Sequence, residues 1–409
     1  MTDSKEKNRE NYGTSLYAKA WKRLVRNKPA IIGIGLILGA VTLAILGYLV
    51  TPDSTPFANE QILQIGTKPP GFAINMLKVR KNKEVEKVGF FNKMINGRED
   101  RFSYIPLNSF QFVEDEMIIK EYTGGGFDND VVKKVPDIVF AKSISKPEIH
   151  LDGDKLTFFD LNNNEVVASL AELQQIIKDK HIVRKRYILG TDKFGRDVLS
   201  RMIIGVRISL AVGFIAVIIS LFIGITLGGI AGYFRGAVDD VIMYVINVIW
   251  SIPTLLLVFA ITLALGKGFW QIFVAVGLSM WVEVARVVRG QVLSIREIEF
   301  VEATRALGYG STRIIFLHIL PNVLGPVMVI AAANFAAAIL IEAGLSFLGI
   351  GVQPPTPSWG WMMKEYYGHI ISGDPFLAII PGLAIMIMVL AFNLLGNGLR
   401  DALDVKGRV

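Results

Sequence analysis

Between two long apolar blocks lies the polar run Glu302-Ala303-Thr304-Arg305-Ala306-Leu307-Gly308, followed by His318-Ile319-Leu320-Pro321-Asn322. Glu302 and Arg305 can pair with charges on another surface. Ala303 and Ala306 keep a helix face slim, and Gly308 permits a tight turn or a close approach. Leu320 and Pro321 lead into the next apolar block, where proline suits a first helical turn. These residue types make a mechanical contact with something soluble; the plainer alternative is a connecting helix whose charges only solvate it. No group of residues has the spacing of a catalytic site. Cysteine is absent, and the histidines at 150, 181, 318 and 369 have no ligand spacing, so neither a disulfide nor a metal site is expected. There is no Gly-x-x-x-x-Gly-Lys-Ser/Thr, and Gly266-Lys267-Gly268 is a bare loop, so this chain carries no nucleotide-hydrolysing loop of its own.

The elements that must hold this run are apolar. Of 409 residues, 52% are hydrophobic, and they come in blocks. A helix needs roughly 20 mostly apolar residues to cross a bilayer. Six stretches qualify, at about 30–50, 206–233, 241–265, 269–288, 323–349 and 376–398. Mid-span charges, each costing about 2.5–3.5 kcal/mol, are almost absent from them. An all-α polytopic membrane protein with six transmembrane helices is the expected class. The first block follows a long polar tail and has no small-residue cleavage site, so it reads as a retained helix. Lysine and arginine concentrate in the N-terminal tail, at Arg235, between the fourth and fifth blocks and at the C-terminus, which places both termini inside. That asymmetry accounts for the net charge of +7 without any nucleic-acid partner.

The expected organisation runs in order along the chain. Residues 1–29 form a cytoplasmic tail, in which Tyr17–Lys28 makes a basic interfacial helix with Trp21, Leu24 and Val25 on its apolar face. Residues 30–52 are the first span, and 53–186 are an extracytoplasmic α+β domain. Residues 187–398 hold spans two to six with the cytoplasmic loop 289–322, and 399–409 are a cytoplasmic tail. Within the domain, Phe110–Tyr122, Ile138–Ile144 and Leu156–Leu161 read as strands, with turns at Asp152-Gly153 and Asn162-Asn163-Asn164. Leu170–Lys180 reads as a short helix, and Gly124-Gly125-Gly126 as a loop tip.

Four further features stand out. Thr191 and Asp192 are candidate caps for a helix leading into the second span. Ser220, Gly224, Gly228 and Gly232 recur every four residues, a spacing that lets two helices approach closely. Pro253 and Pro326 each remove a backbone hydrogen bond inside a span and predict kinks. Glu342 is an ionisable residue within a span, a candidate for lining a pathway; the alternative is a structural partner on another helix.

The run at 302–308 with Leu320-Pro321 resembles the EAA loop of ABC-transporter permeases, with Thr304 in place of the second alanine and with the His318 often found in the peptide-transporting branch. Gly190-Thr191-Asp192-x-x-Gly195-Arg196-Asp197-Val198-Leu199-Ser200-Arg201 resembles a motif of the dipeptide and oligopeptide "C-type" permease subunits. So do the run from Leu345 to Gly360 and the ending Ala391–Asp404. The similarity covers about 17–70 and 187–404, and leaves 72–186 without a counterpart.

The resemblance implies the type I ABC importer permease fold in a bacterial inner membrane. It implies a second permease subunit making a heterodimer, two ATPase subunits carrying ATP and magnesium, and an extracytoplasmic substrate-binding protein. The helix around Glu302–Gly308 would sit in a groove of one ATPase and transmit its motion. Di- and oligopeptides are the implied substrates, with nickel complexes, glutathione or microcin-like peptides as alternatives. The main rival is an ion-coupled secondary transporter, which calls for inverted repeats and several intramembrane charges; here there is Glu342, and Glu283 close to a cytoplasmic end. A channel would want charged rings or a filter loop, and neither is visible.

Overall fold

The apolar blocks become long helices, and the segment between the first two becomes a pair of sheets. The structure, a computed structural model, describes residues 16–125, 129–143, 145–266 and 268–403. The tail 1–15, Gly126 of the glycine tip, Ile144, Lys267 and the terminal 404–409 lie outside the described residues.

In chain order, α1 (Leu16–Leu24) and α2 (Lys28–Val50) precede β1 (Ala73–Arg80), α3 (Phe90–Asn96), β2 (Phe102–Val113) and β3 (Glu116–Glu121). Next come β4 (Asn129–Lys134), α4 (Val135–Val139), β5 (His150–Asp152), β6 (Lys155–Phe159) and β7 (Glu165–Ser169). They are followed by α5 (Leu170–Ile176), β8 (Ile182–Arg186), α6 (Val198–Phe234), α7 (Gly236–Trp250) and α8 (Thr254–Leu265). The remainder is α9 (Phe269–Ile295), α10 (Glu299–Ala306), α11 (Ser311–Leu348), α12 (Trp359–Tyr366), α13 (His369–Ser372) and α14 (Phe376–Leu403).

Among the described residues, five helices, α2, α6, α9, α11 and α14, are long and apolar enough to cross a membrane. The stretch 241–265, read from sequence as one span, is two helices bent by 92°, so the spans number five, or six if the bent pair counts as one. Pro253 is the cause. It has no N–H to continue α7, and it pushes Ile252 out of helical geometry. Pro326 lies inside α11, which is helical on both sides of it. Pro321 stands in the first turn of the α-helical part of α11, Leu320–Leu348. Helical structure extends back to Ser311 through a π-helical stretch, Ile314–Ile319, that precedes the proline. A wider turn there accommodates the carbonyl that proline leaves without a donor.

The chain divides into two compact units, one of residues 1–44, 205–367 and 378–409, the other of 45–204 and 368–377. In the first, α6 lies along α9 through its small residues. A Cβ at Gly224 would meet Val284 and the Trp281 carbonyl, and one at Gly232 would meet the Arg289 carbonyl and Val292. Ser220 is fully buried and bonds back to the Val217 carbonyl at 2.9 Å. The face Trp21–Val25 of the N-terminal helix is split. Leu24 is buried with Ala30 and Ala402, whereas Trp21 is 63% exposed. The helix ends at Leu24, and Asn27 caps α2 through the Ala30 N–H at 3.2 Å.

In the second unit, five antiparallel strands run in the order β4-β3-β2-β1-β8, beside a three-stranded sheet β5-β6-β7. Neighbouring residues of a strand face opposite sides, and β1 is covered on both. Leu77 belongs to a core with Met117, Ile119, Ile138, Leu156 and Leu173, while Met76 packs with Ile62, Ile65 and Tyr187. Three local readings change. Phe110–Tyr122 is not one strand but parts of β2 and β3 around a turn at Glu114, where φ is +49°. The run from Ile138 is the end of a short helix begun by Pro136 at its first turn, not a strand. Thr191 and Asp192 cap no helix. Asp197 does, its carboxylate accepting the Ser200 N–H at 2.8 Å.

Candidate coupling site

The helix α10 ends in a Schellman motif. Gly308 N–H donates to the Arg305 carbonyl at 2.9 Å and Tyr309 N–H to the Thr304 carbonyl at 3.2 Å. Gly308 sits at φ +79°, the left-handed turn that glycine favours, and within this chain there is open space around its Cβ position. One face of the helix looks inward. Val301 is buried in a core with Tyr233, Val292, Ile295, Ile315, Ile319 and Val323, and the Thr304 hydroxyl bonds to the Val301 carbonyl at 2.7 Å. The other face carries Glu302, Ala303, Arg305 and Ala306, all exposed, with Leu307 71% exposed beside them.

Tyr233, in the last turn of α6, joins the helix ends here. Its carbonyl accepts from the Arg296 guanidinium, and its ring lies 5.1 Å from the Arg305 guanidinium. Arg235 pairs with Glu297 at 2.7 Å, and Arg289 of α9 grips Asp239 of α7 with two bonds of 2.5 Å. Such a fork is geometrically specific. Leu320 is half-buried against the same core, Pro321 is exposed, and the ring of His318 stacks on Tyr309 at 5.8 Å. The segment from Glu302 to Pro321 therefore packs around one core.

The Gly190–Asp197 motif forms a buried clasp in the other unit. Asp192 accepts the N–H groups of Phe194 at 2.9 Å and Arg196 at 3.0 Å, and pairs with the Arg196 side chain at 2.6 Å. The Thr191 hydroxyl donates to the Ile65 carbonyl at 2.5 Å and accepts the Lys68 N–H at 2.9 Å. Gly190 and Gly195 have φ of +79° and +70°, and a Cβ on either would strike the chain around Lys68 or Ile62. Ser200 links Asp197 to the Asp53 N–H, the latter at 3.0 Å. Burial raises the Asp197 carboxyl above its ordinary range, against the pull of its Ser200 bonds.

Glu342 is fully enclosed, accepting from the Ser346 hydroxyl at 2.7 Å. Glu283 is a second carboxylate carried by a long apolar helix. It lies midway along α9, is exposed, and lines a small cavity with Trp250, Thr254 and Ser279 at the break between α7 and α8. A 92° break beside it could not be read from a continuous apolar run.

Residues 224–408 match the binding-protein-dependent transport system inner membrane component family, and residues 15–70 match the N-terminal TM domain of oligopeptide transport permease C. The glutathione transport system permease protein GsiD of Pectobacterium atrosepticum is 43% identical over 218 residues, 53% of this chain and 72% of that relative. The chain belongs to this permease family. The dipeptide transport system permease protein DppC of Alkalihalophilus pseudofirmus is 45% identical over 217 residues, 53% of this chain and 71% of its own length. Among solved structures, an inward-facing MetNI methionine ABC transporter aligns at a TM-score of 0.42 and 19% identity, covering 49% of this chain and 96% of the other. As a member, the chain is a multi-pass inner-membrane permease subunit of an ABC importer and not an enzyme; ATP hydrolysis belongs to partner subunits.

Proposed function

We propose that this chain forms half of the path by which di- and oligopeptides enter the cell, paired with a second, different permease subunit. The surface of α10 docks on one of two ATPases, which carry ATP and magnesium, and a substrate-binding protein delivers cargo on the opposite side. Both termini are cytoplasmic, and the inserted module between α2 and α6 stands outside, where it receives the delivery protein. The observation that carries this reading is the two-faced α10: Val301 locked into the core of the helix ends, and Glu302, Ala303, Arg305 and Ala306 presented outward. A push on the outer face is passed to α6, α9 and α11 because close-packed interiors transmit displacement. Glutathione is a second cargo reading, favoured by the GsiD relative; it is itself a small peptide.

The test is reconstitution of the complex in vesicles with a labelled tripeptide. Uptake should require ATP and survive collapse of the proton gradient. Gly308→Trp should leave insertion intact and abolish substrate-stimulated ATP hydrolysis. Uptake by this chain alone, or driven by a proton gradient, would sink the reading.

A further inference from the structure

Three apolar side chains stand out on a short helix of the inserted module. On α3, Phe90 is 63% exposed, Phe91 73%, and Ile95, one turn on, 59%. The two phenylalanine rings meet edge to face at 5.6 Å. Two adjacent phenylalanines so exposed are unusual on a surface facing water alone.

Their position says what covers them. Gly97, which ends α3 at φ +75°, lies against Tyr48: a Cβ there would meet the Tyr48 ring at 3.0 Å and the Ser54 carbonyl at 2.7 Å. The Arg98 N–H donates to the same Ser54 carbonyl at 2.8 Å. Tyr48 lies in the last turn of α2, and its hydroxyl accepts the Phe57 N–H at 2.9 Å. At 1.5 Å per residue, Tyr48 is about 30 Å along α2 from Lys28, which is about the thickness of the hydrocarbon layer. Tyrosine with an apolar body and a bonded hydroxyl is the residue type expected at that boundary. The exposed helix is therefore pinned, by its own C-terminus, to the level where the first span leaves the hydrocarbon. Lys93 on α3 and the exposed Arg98 beside it offer cations to headgroup phosphates.

We propose that α3 is a membrane-interface anchor, with Phe90 and Phe91 seated in the leaflet reached by the C-terminal end of α2. The anchor holds the inserted sheets against the bilayer surface. The inference rests on α2 crossing the membrane, and the test reports that separately.

The absence of cysteine allows one nitroxide label at a time. Full-length Phe90→Cys and Phe91→Cys chains are labelled and placed in vesicles of phosphatidylethanolamine and phosphatidylglycerol. Collision with oxygen, which enters lipid, is compared with collision with a water-soluble nickel chelate. Leu38→Cys within α2 serves as the lipid reference and Val167→Cys on β7 as the water reference. The labels at 90 and 91 should favour oxygen over nickel at least threefold more than the label at 167. Labels at 90 and 91 that match the one at 167 would overturn the anchor. So would shielding that develops only when partner subunits or a binding protein are added, since the helix would then be a protein dock. A water-exposed label at 38 would instead remove the spanning premise.

Discussion

The Arg305 guanidinium lies over the ring of Tyr233, 5.1 Å from its centroid, and so ties the exposed face of α10 to the last turn of α6. The carbonyl of the same tyrosine accepts from Arg296, just past α9. One aromatic residue therefore receives α10 on its ring and a neighbouring helix end on its backbone. Motion of α10 cannot leave α6 behind without breaking this cation–ring contact.

Tyr233→Leu keeps apolar bulk and removes the ring. A cation–π contact at a partly exposed site contributes about 0.5–1 kcal/mol, so stimulation of ATP hydrolysis by substrate in the assembled complex should fall about two- to fivefold. Basal hydrolysis should hold. Tyr233→Phe retains the ring face and should behave as the parent. Equal stimulation in the leucine and phenylalanine variants would remove Tyr233 from the coupling route.

Glycine contacts separate packing from chain flexibility. A Cβ at Gly228 would press on the backbone of Ala285 in α9, whereas nothing lies within 4 Å of one at Gly290 on α9. Gly228→Ala should destabilise the detergent-purified chain by about 1–3 kcal/mol, the usual range for overpacking. Gly290→Ala should be neutral or raise the melting temperature, because it only stiffens the unfolded chain. Thermal unfolding of the two variants side by side decides the point; equal shifts would mean α6 and α9 are not in backbone contact.

What the sequence revealed and concealed follows from the range of the interactions. Apolar blocks report burial in lipid directly, so α2, α6, α9, α11 and α14 were visible as blocks with rough ends. The every-fourth small residues from Ser220 to Gly232 were visible because helix packing repeats along the chain. Leu156–Leu161 shows as a strand, and β6 spans Lys155–Phe159. Side-chain partners were hidden. Thr191 and Asp192 looked like caps, yet the Thr191 hydroxyl bonds the distant Ile65 carbonyl, Asp192 pairs with Arg196 four residues on, and it is Asp197 that caps α6. Ile138 looked like strand because it is apolar and branched, but Pro136 starts a helical turn there and tertiary packing outweighs propensity. The run from Glu302 to Gly308 shows as a polar helix by pattern; that Tyr233 receives Arg305 depends on α6 ending beside α10, which no local pattern records.

The buried His181 should make the sheets between α2 and α6 less stable in acid. Its Nδ1 is 2.7 Å from the Lys78 carbonyl, its ring meets Phe102 edge to face at 5.7 Å, and it is only 7% exposed. Burial lowers its pKa below the usual value of 6.5, and the nearby Lys78 charge adds to this against the pull of the backbone bond. The unfolded chain therefore takes up the proton first. His181 contributes fully above about pH 6.5, and its contribution is lost as pH falls from there towards the lower folded value. Glu60 and Asp197, whose pKa values burial raises, act in the opposite direction at lower pH, so the difference between chains is what counts. Pulse proteolysis of the full chain at pH 7.5 and 5.5 should show the module destabilised in acid, and less so in His181→Gln. Identical pH responses would clear His181 of the effect.

The inserted module leaves and rejoins the chain at a single point. Tyr187 N–H donates to the Phe72 carbonyl at 2.8 Å, and Gly71 N–H donates to the Tyr187 carbonyl at 2.9 Å, so the two ends already touch. The match to the permease C N-terminal domain stops at residue 70, where β1 is about to begin. Removing 72–186 and joining Gly71 to Tyr187 spans no gap and leaves the Thr191–Lys68 and Asp192–Arg196 bonds in place. It does strip the cover from Ile62 and Ile65, which pack on Met76, so a loss of about 1–3 kcal/mol for each exposed large side chain is expected. The shortened chain should still insert and assemble with its partners, because the core around Val301 and Tyr233 is untouched. If the module receives the delivery protein, stimulation of ATP hydrolysis by loaded binding protein should disappear while basal hydrolysis persists. Full stimulation and full uptake by the shortened chain would assign the module no part in delivery.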